Sequence, residues 1–195
     1  MNINQIARGL PGISRCVLAH PYNPPFVTPV VEVLPSQEGG PDLAQRTIEF
    51  LRSVGQVPVL MNFHLDGFLG NRIQAAVVRE AIHLVESGVA TVEAVDAVIC
   101  HGLGLRWALF GNFGVNHTNA DGGLREYYTR FSDSYPRMMN TLDSTAPPFD
   151  SEMIERIAQG VDEMVGRATV PELCRWRDRL VRKIRLLKEQ DPVPK

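Results

Sequence analysis

At 195 residues, 44% of them hydrophobic, the chain has enough apolar material for one large domain or two small ones. A charged fraction of 22% and a net charge of -2 exclude a global bias toward nucleic acid or an acidic surface. No apolar stretch approaches the ~20 residues of a membrane span, and Met1-Asn2-Ile3-Asn4 lacks the basic and apolar regions of a signal peptide.

Two styles of sequence meet near residue 63, an α/β part before it and a helical part after it. Ile3, Ile6, Ala7 and Leu10 have helical spacing, closed by Pro11-Gly12. The apolar run within Arg15 to Ala19 reads as a buried strand, and valine-rich Thr28 to Leu34 as a second. A helix is expected from about Asp42 to Val54, with Leu43, Thr47, Phe50 and Leu51 inward and Gly55 as C-cap. Val57 to Met61 is a third strand, placed at an edge because Pro58 cannot donate a ladder bond. From Asp66 onward only helices are expected.

The first of these runs from Gly67 to Ser87 with Leu69, Ile73, Ala76, Val77, Leu84 and Val85 as its apolar stripe. Thr91 caps the next, with Glu93 in its first turn. Gly102-Leu103-Gly104 reads as a break, and Trp107 to Phe113 as the start of another helix. Helices at about 123–131 and 133–143 precede a loop from Thr145 to Phe149. Asp150 or Ser151 caps a helix burying Ile154, Ile157, Val161 and Met164. Thr169-Val170-Pro171-Glu172 resembles a capping box with an early proline, and opens a last helix burying Leu173, Trp176, Leu180, Ile184 and Leu187. Its seven Arg and Lys residues suit a helix C-terminus better than nucleic acid.

The segment His20-Pro21-Tyr22-Asn23-Pro24-Pro25, closed by Val30-Val31-Glu32-Val33, places a histidine and a carboxylate on neighbouring extended segments. If those strands adjoin, His20 can take a proton from a substrate hydroxyl while Glu32 fixes the ring's tautomer and stabilises its cation. The plain alternative is a core histidine bonded to a carbonyl and a glutamate ending a strand. Asn71 falls in the first turn of the long helix, where side-chain and backbone donors point toward a ligand; plain helix initiation explains it as well. Arg106 can anchor a carboxylate or phosphate bidentately, or form a surface ion pair. His117 and Asn119 are candidates for lining a substrate cleft. His83 is expected at the surface and His64 in the hinge. His101, His117 and Asp121 match no metal-ligand spacing, so no metal site is assigned. Cys16, Cys100 and Cys174 are odd in number and widely spaced, and read as reduced thiols in a cytosolic setting.

His20-x-x-Asn23-Pro24, Val31-Glu32-Val33, Gly67-Phe68-x-x-Asn71-Arg72, Glu80-Ala81, Glu86-x-Gly88-Val89-Ala90, Asp96 and Gly102-Leu103-Gly104 follow one order. That order resembles the 3-hydroxyacyl-CoA dehydrogenase family over essentially the whole chain. Gly102 to Gly111, His117-x-Asn119 to Gly122 and Trp176-Arg177-Asp178 look most like its lambda-crystallin and L-gulonate 3-dehydrogenase branch.

The resemblance implies a mainly α protein, a helical domain at 63–195 preceded at 1–62 by the end of a Rossmann-type NAD-binding domain. It implies NAD-dependent chemistry at a 3-hydroxy group of a small hydroxy acid or acyl-CoA. His20 is then the base, Glu32 its partner, and Asn71 and Asn23 substrate contacts. A homodimer interface belongs to the helical part. The family's Gly-rich strand–turn–helix has no counterpart before His20. Further central strands are then expected against Val17 and Val31. Three readings stay open: a piece of a full dehydrogenase, a short chain completed by its own copy or by a separate nucleotide-binding chain, or one that has left redox chemistry. The last keeps the dyad for cofactor-free dehydration, isomerisation or cyclisation. A catalytically silent dimerisation protein is the alternative outside enzymes.

Overall fold

The computed structural model describes residues 2–193. They form a three-stranded sheet and a set of helices that fall into two units, one of residues up to 74 together with those from 171 onward, the other of residues 75–170.

In the first unit, α1 (Ile3–Ile6) is capped by Asn2, whose side chain accepts the Asn4 N–H. It is shorter than its spacing suggests, because the chain turns through Gly9 at φ +79°. Only Ile3 and Ala7 go inward, against Leu34 and Met61, while Ile6 and Leu10 are exposed. β1 (Val17–Pro21) pairs antiparallel with β2 (Val30–Pro35), and β2 pairs parallel with β3 (Val57–Leu60). A parallel pair needs a crossover, and α2 (Gly40–Ser53) supplies it. The strand order is β1-β2-β3, so Pro58 does lie on an edge strand.

β2 is the central strand, and its apolar run reflects burial on both faces. Val31, Val33 and Leu34 are buried; Val31 thus has a neighbour on each side instead of awaiting further strands. Glu32 is the polar interruption of that run. In α2, Ala44 is buried with Leu43, Thr47 and Leu51 partly covered. Phe50, expected inward, is 65% exposed. The last helix, α10 (Val170–Gln190), returns to this unit, where the Arg185 guanidinium donates to the Val27 carbonyl at 3.0 Å. Its apolar stripe is open: Trp176, Ile184 and Leu187, expected to be buried, are all exposed.

α3 (Phe68–Glu86) begins in the first unit and continues into the second. There it is followed by α4 (Val92–Val98), capped by Thr91 through the Ala94 N–H as the sequence indicates. The glycines at 102 and 104 do not break the chain. Ile99–Leu103 is a π-helical turn running directly into α5 (Gly104–Leu109). A Cβ on Gly104 would stand 2.7 Å from the Ile99 carbonyl, so glycine here permits the wide turn. α6 (Asn112–His117), α7 (Gly123–Arg130) and α8 (Ser134–Met139) are short. α9 (Ser151–Val165) is capped by Asp150 through the Met153 N–H. Met153 is the buried residue of α9, with Ile157 and Val161 partly covered; Ile154 and Met164 face outward, against expectation. Gly160 lets α9 approach Val92 of α4 closely. No helix among the described residues is long and apolar enough to cross a membrane.

Candidate active site

The antiparallel register places His20 directly opposite Glu32, so the two side chains share one face of the β1–β2 pair. His20 Nδ1 lies 2.8 Å from Glu32 Oε2. Glu32 is 1% exposed and the His20 side chain 29%. A buried carboxylate is tolerated only when its oxygens are satisfied. The other oxygen, Oε1, accepts the backbone N–H groups of Leu69 at 2.8 Å and Gly70 at 3.0 Å. These are first-turn donors of α3, which have no partner inside their own helix. Burial would raise the Glu32 carboxyl, but the bonds from His20, Gly70 and Leu69 and the His20 charge together hold it below its ordinary range. The ionised carboxylate only accepts, so the hydrogen of a neutral His20 ring sits on Nδ1. Nε2 is left with its lone pair for a proton.

Two aromatic residues complete the setting, and neither was assigned a role from the sequence. The Phe68 ring stacks on His20 with centroids 4.5 Å apart and planes at 19°. Tyr22 lies two residues beyond His20, hence on the same face of the extended chain, with ring centroids 5.9 Å apart. Burial is the main cause that raises the Tyr22 phenol above its usual range, followed by the Glu32 charge and hydrogen bonding to that carboxylate. Gly70 makes room for it: a Cβ there would overlap the Tyr22 hydroxyl oxygen. The i, i+2 spacing of His20 and Tyr22 was a legible signal; Phe68 stands in the Gly67-Phe68-x-x-Asn71-Arg72 motif, which does not announce its contact with His20.

Asn71 follows Gly70 in the first turn of α3, and Asn23 follows Tyr22; both side chains are exposed and belong to the dyad's unit. The first-turn amides that the sequence suggests for a ligand are taken by Glu32. Arg106, His117 and Asn119 are residues of the second unit. Arg106 is exposed on α5. His117 Nδ1 accepts the Leu124 N–H at 3.2 Å and lies against Gly123, so this ring caps α7. Asn119 is exposed in the turn after α6. His83 is a surface residue with Nδ1 3.4 Å from Asp143, and His64 pairs with Asp66 at 3.0 Å. The three cysteines are unpaired.

The N-termini of α2 and α3 are not free to hold a dinucleotide pyrophosphate. That group is held by free N–H donors at a helix N-terminus. The donors of α3 are occupied by Glu32, and α2 opens with Pro41, which has no N–H, and Asp42, which repels phosphate.

Residues 1–63 match the profile of the 3-hydroxyacyl-CoA dehydrogenase NAD-binding domain, and residues 67–156 that of the C-terminal domain. Over 189 residues the chain is 34% identical to lambda-crystallin of Oryctolagus cuniculus, covering 96% of this chain and 59% of that protein. It is 36% identical over 191 residues to the L-carnitine dehydrogenase of Nocardiopsis dassonvillei, covering 97% of this chain and 57% of the other. The chain thus spans less than two thirds of the relatives it matches. Among solved structures, an Archaeoglobus fulgidus 3-hydroxyacyl-CoA dehydrogenase superposes with TM-score 0.52 at 26% identity, over 86% of this chain and 65% of that one. An NAD-dependent 5-formyl-3-hydroxy-2-methylpyridine-4-carboxylic acid 5-dehydrogenase shares the fold, with TM-score 0.75 at 23% identity over 97% and 61% of the two chains.

Proposed function

The chain belongs to the 3-hydroxyacyl-CoA dehydrogenase family, and we propose that it carries the proton-transfer half of an NAD-dependent oxidation at a 3-hydroxy group. The observation that supports this is the His20–Glu32 pair with Oε1 of the carboxylate held by two helix-terminal amides. His20 Nε2 accepts the proton of the substrate hydroxyl as the alcohol becomes a carbonyl, and returns it in reduction. Glu32 holds the tautomer and offsets the imidazolium charge. NAD is the hydride acceptor suited to this family's chemistry. Asn71 and Asn23 orient the substrate from the dyad's own unit. A small 3-hydroxy acid, of which carnitine is the example among the relatives, suits these residues as well as an acyl-CoA. A homodimer, or a separate nucleotide-binding chain, is the proposed partner, in the cytoplasm.

The test is turnover of L-carnitine, L-gulonate and a 3-hydroxyacyl-CoA with NAD by the protein and its His20→Gln variant, with dimerisation monitored in parallel. NAD-dependent turnover lost in the variant is expected. A second reading, proton transfer without redox, draws on the completeness of the dyad within one unit. It predicts that His20-dependent dehydration or isomerisation of a hydroxy acid continues with no nucleotide present.

A further inference from the structure

Phe68 has φ +53°, a left-handed conformation in a residue with a bulky side chain, directly after Gly67 at φ +81°. For a non-glycine residue this backbone is strained. A glycine at 68 would make the same turn with less cost. The ring is therefore what the position retains, and it has two contacts. One side packs against the Ile3–Ala7–Leu34–Met61 core; another lies nearly parallel to the His20 imidazole at 4.5 Å. The same turn, closed by the Phe68 N–H on the Leu65 carbonyl at 3.0 Å, aims the next two N–H groups at Glu32.

We propose that Phe68 is a positioning residue for His20, its left-handed backbone aiming the first turn of α3 at Glu32 while its ring fixes the imidazole against the core and stabilises the imidazolium. The ring face offers a protonated imidazole a cation–π contact that a neutral aliphatic side chain cannot give. The titratable groups around this stack are Glu32 on β2, Tyr22 beyond β1, and His64 with its partner Asp66 in the segment before α3. The inference deepens the reading of His20 as the base and rests on it.

Three variants test it. Phe68→Leu keeps apolar bulk and removes the ring face. The acid limb of its pH–rate profile is expected to move to lower pH by about half a unit, the size of an exposed cation–π contact. Its kcat should fall by about tenfold, as for a loosened general base, with KM little changed. The same displacement is expected in an NMR titration of the His20 ring, which needs no turnover. Phe68→Gly is expected to melt above Phe68→Ala, the reverse of the usual order within a helix, because only glycine takes φ +53° freely. An unmoved His20 titration in Phe68→Leu, or Phe68→Ala melting at or above Phe68→Gly, would overturn the inference. Failure of the underlying reading looks different: the titration moves as expected, yet His20→Gln keeps wild-type turnover.

Discussion

Glu32 concentrates the chemistry of the site in one buried side chain. Replacing it with Gln places an amide where the carboxylate stood. If the amide NH2 faces His20, two donors oppose each other, and the ring turns to its Nε2–H tautomer, which cannot accept a substrate proton. Glu32→Gln is expected to lower kcat by roughly a hundredfold or more, a loss typical of disabled acid–base catalysis, with the fold retained by circular dichroism. The carboxyl also couples stability to pH. Its folded value lies below the ordinary 4.5, so its contribution is present above that pH and is lost as pH falls through the depressed value. Thermal melts should therefore fall from about pH 4.5 downward in the wild type, and this component should be missing in Glu32→Gln. At this scale the sequence disclosed the pair, because strand alternation puts His20 and Glu32 within reach once their strands adjoin. It could not disclose the amides of Leu69 and Gly70 as partners, since that contact depends on a left-handed turn more than 30 residues along the chain.

Helix starts were legible at Thr91 and Asp150, where a local hydrogen bond defines them, but not at Asn2, which caps α1 in the same way. Thr91→Ala and Asp150→Ala should each lower stability by about 1 kcal/mol in denaturant titrations. Glycine was legible as a special position but not in its role. Gly102-Leu103-Gly104 looks like a stop, yet a π-helical turn carries the backbone through it. The reason is a close approach: a Cβ on Gly104 collides with the Ile99 carbonyl. Gly104→Ala is expected to cost about 1–3 kcal/mol, as for other overpacked sites, whereas Gly102→Ala, with open space around it, should cost far less. Apolar stripes were the least reliable sign. The helical periods of α2, α9 and α10 are real, but Phe50, Ile154 and Trp176 lie on the open side, because period fixes which residues share a face and not what covers that face.

The whole chain exposes 14261 Å². Two compact bodies of half its mass would together expose only about 11,000 Å², so the excess does not depend on how the units are arranged. Much of it is apolar, with Trp176, Leu186 and Leu187 on α10 among the exposed side chains. An area of this size is what stable association buries. Sedimentation is expected to give a mass above the 21.7 kDa of one chain that falls toward it in Trp176→Glu; a wild-type monomer at all concentrations would refute the proposed homodimer. The central claim is proton transfer at His20 in an NAD-dependent oxidation, and it is tested most directly by comparing the protein with His20→Gln on L-carnitine, L-gulonate and a 3-hydroxyacyl-CoA in the presence of NAD. The account predicts reduction of NAD with at least one substrate and a loss of about a hundredfold or more in the variant. Equal rates from the two proteins, or no reduction of NAD with any of the three, would contradict it.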